Sequence, residues 1–169
     1  RGNRIVLKGS GLIRNSIFFI SGDNNIIEID VGGGIANAQF WIEDSNNRIV
    51  IGKDTNLCGS IQLACIEGTE IRIGDNCLFS SDIVFRTGDS HSLLDLQGNR
   101  INPSSDIVIG NHVWMGHKVT INKGVHIADN NMIGTGAIVT KSFNEQDTVI
   151  AGVPAKIVKQ GVKWCAERI

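Results

Sequence analysis

The chain has no excess of charge of either sign: 16 Lys and Arg stand against 17 Asp and Glu, a formal net charge of −1 over 169 residues. A protein that grips nucleic acid through its phosphates needs a basic footprint, and this composition offers none. No apolar run approaches the roughly 18–20 residues that cross a bilayer as a helix, and no signal-peptide pattern stands at the start. The first residue is Arg1, not Met. The four cysteines, Cys58, Cys65, Cys77 and Cys165, form no CxxC pair and no zinc-ligand spacing. A reduced, cytoplasmic chain whose cysteines serve as small apolar filler is the expectation. Leucine is also scarce, with 8 Leu against 26 Ile and 13 Val. β-Branched residues favour strands and cost a little in helices. The 20 Gly and 16 Asn supply residues that tolerate left-handed backbone at tight turns. Strand formers punctuated by turn formers imply many short strands.

Those strands repeat. "NRIVL" at Asn3–Leu7, "NNIIEI" at Asn24–Ile29, "NNRIVI" at Asn46–Ile51 and "TEIRI" at Thr69–Ile73 recur every 22 residues. Within each repeat, large apolar residues recur at steps of six: Leu7, Ile13, Phe19; Ile29, Ile35, Trp41; Ile51, Leu57, Leu63; Ile73, Phe79, Phe85. After a gap the step resumes as Ile109, Met115, Ile121, Ile127, Ile133 and Val139. A period of six fits neither a helix nor a flat strand. It fits a β-helix in which each hexad is one short face, three hexads close a coil, and the repeated residue points inward. The eighteen positions give about six coils, a prism on the order of 30 Å long at about 4.8 Å per coil. The four residues left over in each 22 read as a small corner loop. The gap, 86–106, has no register, and an insertion of that length in a compact domain is usually functional or disordered. It holds "TGDSHS", Thr87–Ser92, with His91.

"TGDSHS", then "IVIGNHVWMG", "IGTGAIVTK" and "AGVPAKIV" occur in this order. These residues resemble the hexapeptide-repeat acyltransferases, and among them the galactoside, maltose and capsular-polysaccharide O-acetyltransferases. The resemblance covers nearly the whole chain. It implies an all-β fold: a left-handed parallel β-helix over residues 1–159 with an inserted active-site loop. It also implies acetyl-CoA as co-substrate with no metal, a saccharide acceptor, and a homotrimer with active sites between subunits. Residues 160–169 are expected to form a C-terminal tail or short helix containing Trp164.

His91 falls on the family's catalytic histidine. Loops on rigid scaffolds commonly display catalytic groups, and a sugar hydroxyl needs a base as it attacks a thioester, which neutral imidazole supplies. No cysteine falls in the motif segments near it, so a thiol acyl-enzyme is not expected. Asp89 and Asp95 flank it and are the candidates to orient its ring. Trp114 is expected at an outward corner, as a wall of the acetyl-CoA cleft with its backbone N–H poised for the oxyanion, or as a trimer-interface anchor. Trp41 is expected in the core. By resemblance His117, Thr135, Thr140 and Lys141 line the pantetheine and nucleotide path, and Lys156 and Lys159 stand near the coenzyme's phosphates. His112 and His126 are expected to face solvent. Lys123 replaces the family's frequent Pro, with no consequence foreseen. Three readings compete with the saccharide transferase: a xenobiotic acetyltransferase, a zinc site of the γ-class carbonic anhydrase type using His91, His112 and His117, and a catalytically silent assembly subunit.

Overall fold

The computed structural model describes residues Arg1–Ile169 and contains strands but no helix. The first coil is β1 (Arg4–Lys8), β2 (Leu12–Arg14) and β3 (Ile17–Ile20). The second is β4 (Ile26–Asp30), β5 (Gly34–Ala36) and β6 (Ala38–Ile42), and the third β7 (Arg48–Ile51), β8 (Asn56–Leu57) and β9 (Ile61–Cys65). The fourth is β10 (Glu70–Ile73), β11 (Leu78–Phe79) and β12 (Ile83–Arg86). After the insertion come β13 (Ile107–Ile109), β14 (Trp114–Met115) and β15 (Thr120–Asn122), then β16 (His126–Ile127), β17 (Met132–Ile133) and β18 (Ile138–Val139). A hairpin, β19 (Thr148–Gly152) and β20 (Ala155–Gln160), closes the series. Every third strand pairs in parallel, which makes three faces: β1 to β16 on face 1, β2 to β17 on face 2, and β3 to β18 on face 3. On face 2, β19 adds in parallel to β17, and β20 runs antiparallel to β19.

The six-residue step sets the core. Ile29, Ile51, Ile73, Ile109 and Ile127 stack on face 1, and Ile35, Leu57, Phe79, Met115 and Ile133 on face 2. All are buried. Leu7 and Ile13 keep this register in the first coil, where nothing covers the open end, so Leu7 is 55% exposed. Face 3 departs from the expected register in its first two coils. Phe40 pairs with Leu63 and Phe18 with Phe40, one residue earlier than Trp41 and Phe19. Phe40 is fully buried, whereas Trp41 turns outward, stacks on Phe19 at 4.0 Å and donates its indole N–H to Glu43 at 2.7 Å. The expectation that Trp41 is core is therefore wrong. The hexad before it is one residue short, and alternation along a strand puts its neighbour inside instead.

The corners must satisfy backbone groups that strand pairing leaves behind. Where face 3 passes to face 1, a ladder of side chains does so, exposed at Asn3 and buried from Asn25 onward. Asn3 accepts from the Asn25 N–H, Asn25 from the Asn47 N–H, and Asn47 from the Gly68 and Thr69 N–H groups. Asn25 and Asn47 also donate back to the Asp44 and Glu43 carbonyls. These residues bracket the extra corner residues of the 22-residue repeat. Asn131, which breaks the small-residue pattern of its hexad, is buried for the same reason: it accepts from Thr148 and donates to the Ala128 and Glu145 carbonyls. Where face 1 passes to face 2, Asp54, Asn76, His112 and Asn130 take left-handed backbone in successive coils, a conformation in which Asn, Asp and His are enriched.

The C-terminal segment is the expected tail and not the alternative short helix. After Gln160 the chain forms no helix but lies extended with bends. It returns to face 2, where the Trp164 indole N–H donates to the His112 carbonyl at 2.9 Å and the indole stacks on the His112 ring at 4.1 Å. Cys65 and Cys77 are buried filler, but Cys58 and Cys165 are exposed, contrary to the expectation for them.

The register on face 3 is open to test. Phe40→Ala should cost about 3–5 kcal/mol as a core truncation, and Trp41→Ala about 1 kcal/mol as the loss of a surface stack. Denaturant midpoints in the reverse order would contradict the observed register.

Candidate active site

The insertion leaves the prism where β12 ends on face 3 and rejoins it at β13 on face 1. Arg86, placed in the gap by the repeat, belongs to β12, so the loop starts at Thr87, which is fully buried. The Thr87 hydroxyl accepts from the Ile66 N–H at 3.0 Å and from the Thr69 hydroxyl at 2.7 Å. The loop thus hangs from the last rung of the corner ladder. Gly88 follows close against Ser104 and Ile66, whose side chains would have to shift to admit a Cβ there. Cys65 sits beneath this anchor, and burial raises its thiol, so it is not poised as a thiolate.

Beyond the anchor the loop is a small hairpin. Leu94 bridges Arg100 in antiparallel fashion. Asp95 caps its tip by accepting the Gln97 and Asn99 N–H groups. Arg100 and Ser104 on the return segment both reach Glu67, at 2.9 and 2.8 Å. His91 is exposed, and its imidazole makes no hydrogen bond within the chain. Its backbone is held instead. Asn102 Nδ2 donates to the His91 carbonyl and to Asp89 Oδ2, both at 2.8 Å, and Asn102 Oδ1 accepts from the Leu93 N–H at 2.7 Å. Ser90, just before His91, adopts left-handed backbone with φ 63°, a conformation that persists only where its surroundings impose it.

Neither aspartate faces the imidazole as expected. Asp95 is occupied by the hairpin tip, and Asp89 pairs with Asn102 and with the Lys123 ammonium. Lys123 therefore does have a consequence in this chain. Lys123 and Asn102 together hold the Asp89 carboxyl below its ordinary value. A carboxylate depressed in this way favours the folded arrangement above its unfolded pKa, and that contribution is lost as pH falls through the lower, folded value. The pairing is intact at neutral pH.

The other expected residues fall into two groups. Trp114 is half-buried on the outer side of face 2. Its backbone N–H donates to the Asn131 carbonyl at 2.9 Å, which removes it from the expected oxyanion role. Its indole lies 6.0 Å from that of Trp164, and both line a cavity of about 160 Å³ with Lys159, Met132 and Val149. His117 stands where face 2 passes to face 3, with Nδ1 2.9 Å from the Ser81 hydroxyl, and the Gly136 N–H donates to the His117 carbonyl one coil from it. Thr135 is exposed on that same corner, beside Gly116. Lys156 is exposed on β20. Thr140 and Lys141 instead follow β18 at the corner that also carries the His91 loop, with the Lys141 ammonium 5.5 Å from the Phe143 ring centre. His126 is exposed, but His112 does not simply face solvent: it packs against Trp164 and approaches Asn130 at 3.2 Å. The chain assembles no group of three or more His, Cys, Asp or Glu side chains in metal-binding range, and no helix is long and apolar enough to cross a membrane.

His91 and Trp114 thus stand on opposite sides of one prism, because the loop leaves the corner that faces away from face 2. Asn102 and Lys123 escaped the sequence reading. Both lie where the repeat gives no register or no expectation, and the pairing of distant residues around a loop has no spacing rule. The "NP" at Asn102–Pro103 is a turn signal but does not say what the side chain grips.

A parallel solenoid of about six turns matches the fold of the left-handed β-helix acetyltransferases. No family model matches the chain. It is 31% identical to the polysialic acid O-acetyltransferase of Neisseria meningitidis over 96% of this chain and 85% of that protein. It is 29% identical to the polysialic acid O-acetyltransferase of Escherichia coli O1:K1 over 73% of this chain, but spans only 40% of that longer protein. The crystal structure of the polysialic acid O-acetyltransferase OatWY superposes with a TM-score of 0.74 at 29% identity, covering 100% of this chain and 90% of that one. The chain belongs to the hexapeptide-repeat O-acetyltransferase family.

The anchor of the loop can be tested directly. Thr87→Val keeps the side chain's shape but strands the buried Ile66 N–H, which should cost about 1–3 kcal/mol and speed amide exchange at Ile66. A variant as stable as the parent would show that Thr87 does not carry the anchor.

Proposed function

We propose that the protein transfers the acetyl group of acetyl-CoA to a saccharide hydroxyl, with His91 as general base. The observation that carries this reading is the His91 loop: a long insertion fastened by buried and ionic contacts that presents an imidazole with no partner in its own chain. A rigid solenoid has no structural need for such a loop. The family supports acetyl transfer, and the names of the similar proteins support a saccharide acceptor.

The reaction needs one proton moved twice. The neutral imidazole takes the proton of the acceptor hydroxyl as its oxygen attacks the thioester carbonyl. The C–O bond forms and the carbonyl becomes an oxyanion. When the carbonyl reforms, the C–S bond breaks, and the departing thiolate takes the proton back from the imidazolium. Holding both substrates in one cleft removes the entropy cost of their encounter. No acyl-enzyme is required, which agrees with a buried Cys65 whose thiol is pushed up.

The cleft forms between copies of the chain. His91 and Trp114 lie on opposite sides of one prism, so a site that uses both takes its loop from one copy and face 2 from the next. A closed ring of three copies meets this need with three equal sites. The Trp114 indole N–H has no partner in the chain and is free to point into such a cleft. His117 and Thr135 would line the coenzyme's arm on that side, Lys159 and Lys156 would sit near its phosphates, and Thr140 and Lys141 would extend the wall beside the loop. Residues 1–159 form the catalytic prism and 160–169 a tail that braces face 2. A co-substrate of this kind places the reaction in the cytoplasm.

The test is release of free thiol from acetyl-CoA across a panel of mono- and oligosaccharides, including sialylated ones. Acceptor-dependent release is expected, and His91→Ala should lower it about 10²–10⁴-fold. Release that is unchanged in the variant removes His91 from the role. No release with any saccharide contradicts the proposed acceptor class.

A further inference from the structure

We propose that Lys123 is a positioning residue for acetyl transfer: with Asp89 and Asn102 it forms a latch between coil five and the loop that sets where His91 stands. This rests on the function proposed above. Lys123 follows β15, which pairs with β12 in the register Val84 with Thr120, Phe85 with Ile121 and Arg86 with Asn122. It therefore sits one coil beyond Thr87, at the corner from which the loop departs. From there the ammonium bonds the Asp89 carboxylate and the Asn102 carbonyl, the latter at 3.1 Å.

Asn102 transmits the contact. A side-chain amide has a donor end and an acceptor end that are nearly the same shape, so its direction is set by its partners. The Asp89 carboxylate accepts only, and it faces the Asn102 NH₂ at 2.8 Å. That fixes the donor end on Asp89 and the His91 carbonyl, and the acceptor end on the Leu93 N–H. One amide thus grips the two peptide groups that flank Ser92, the first of which carries the His91 carbonyl, and reaches the Asp89 side chain on the other side of His91. Lys123 neutralises the carboxylate that fixes the amide and ties the whole cluster to the prism. Ser90, in its left-handed conformation, lies inside the clamped segment. Without the ammonium, Asp89 loses its cationic partner, and nothing then joins residues 89–93 to coil five.

The contact is half-exposed, so its net effect on global stability is small. Its effect on the reaction is not, because a base displaced by about 1 Å can lose on the order of 10²-fold in rate. A latch therefore lowers kcat out of proportion to stability, whereas a surface ion pair with no such role lowers neither.

Lys123→Met, Lys123→Arg and Asp89→Asn separate these cases, measured for kcat, KM for acetyl-CoA, Tm and amide exchange at Leu93. For Lys123→Met we expect kcat to fall about 10–100-fold, with little change in Tm or in KM, and Leu93 to exchange faster. Lys123→Arg should restore most of the rate. The double variant Lys123→Met, Asp89→Asn should lose little more than Asp89→Asn alone, since the ammonium acts through that carboxylate. Unchanged exchange at Leu93 overturns the latch. Faster exchange with an unchanged kcat overturns its role in positioning. If the parent chain acetylates no saccharide, the proposed function fails, and Leu93 exchange alone still decides whether Lys123 holds the loop.

Discussion

The structure depends on what happens at its corners. A flat parallel sheet satisfies its backbone through its neighbours, but a chain that turns three times per coil leaves N–H and C=O groups facing inward at each turn. An unpaired buried group of this kind costs about 1–3 kcal/mol, so six uncorrected coils would not stand. This chain answers with side chains that reach one coil along: Asn3 to Asn25, Asn25 to Asn47, Asn47 to Thr69, and Thr69 to Thr87. The aliphatic stack fills the space that these corners define. The ladder also ends where the insertion begins, so the scaffold's structural solution becomes the foundation of its one elaborate loop.

That continuity explains how an exposed histidine can be well placed. Thr87 ties the start of the loop to coil three, Glu67 ties its return through Arg100 and Ser104, and Asn102 holds the segment between. The imidazole is left free by a backbone that is not. Such division suits a general base, which must be fixed in place yet unengaged until a substrate arrives. In the proposed cleft, face 2 with Trp114 and Lys159 would come from a neighbouring copy, since it looks away from the loop in its own chain.

The hexad step made most of this fold legible in the sequence, because an inward position every six residues admits few arrangements. It failed at Trp41 for an instructive reason. An aromatic fits either side of a strand, so a hexad one residue short left both Phe40 and Trp41 plausible, and composition could not choose between them. The tail's path was a different matter. "GVKWCAERI" carries no turn or strand signal strong enough to say that it would fold back, and Trp164 finds its place against His112 and Trp114, the first of them 52 positions away in the chain. The displayed loop that carries His91 was legible as a break in the repeat, whereas the contacts of Asn102 and Lys123 were not. Those contacts arise from a meeting of loop and coil that no local pattern encodes.

The central claim is that one site draws His91 and Trp114 from two copies. It is tested most directly by mixing chains carrying His91→Ala with chains carrying Trp114→Ala, each first shown to be inactive alone, and assaying the mixed oligomers. The account predicts that activity appears on mixing, because some clefts then pair an intact loop with an intact face 2. Mixed oligomers that contain both chains and remain inactive would contradict it.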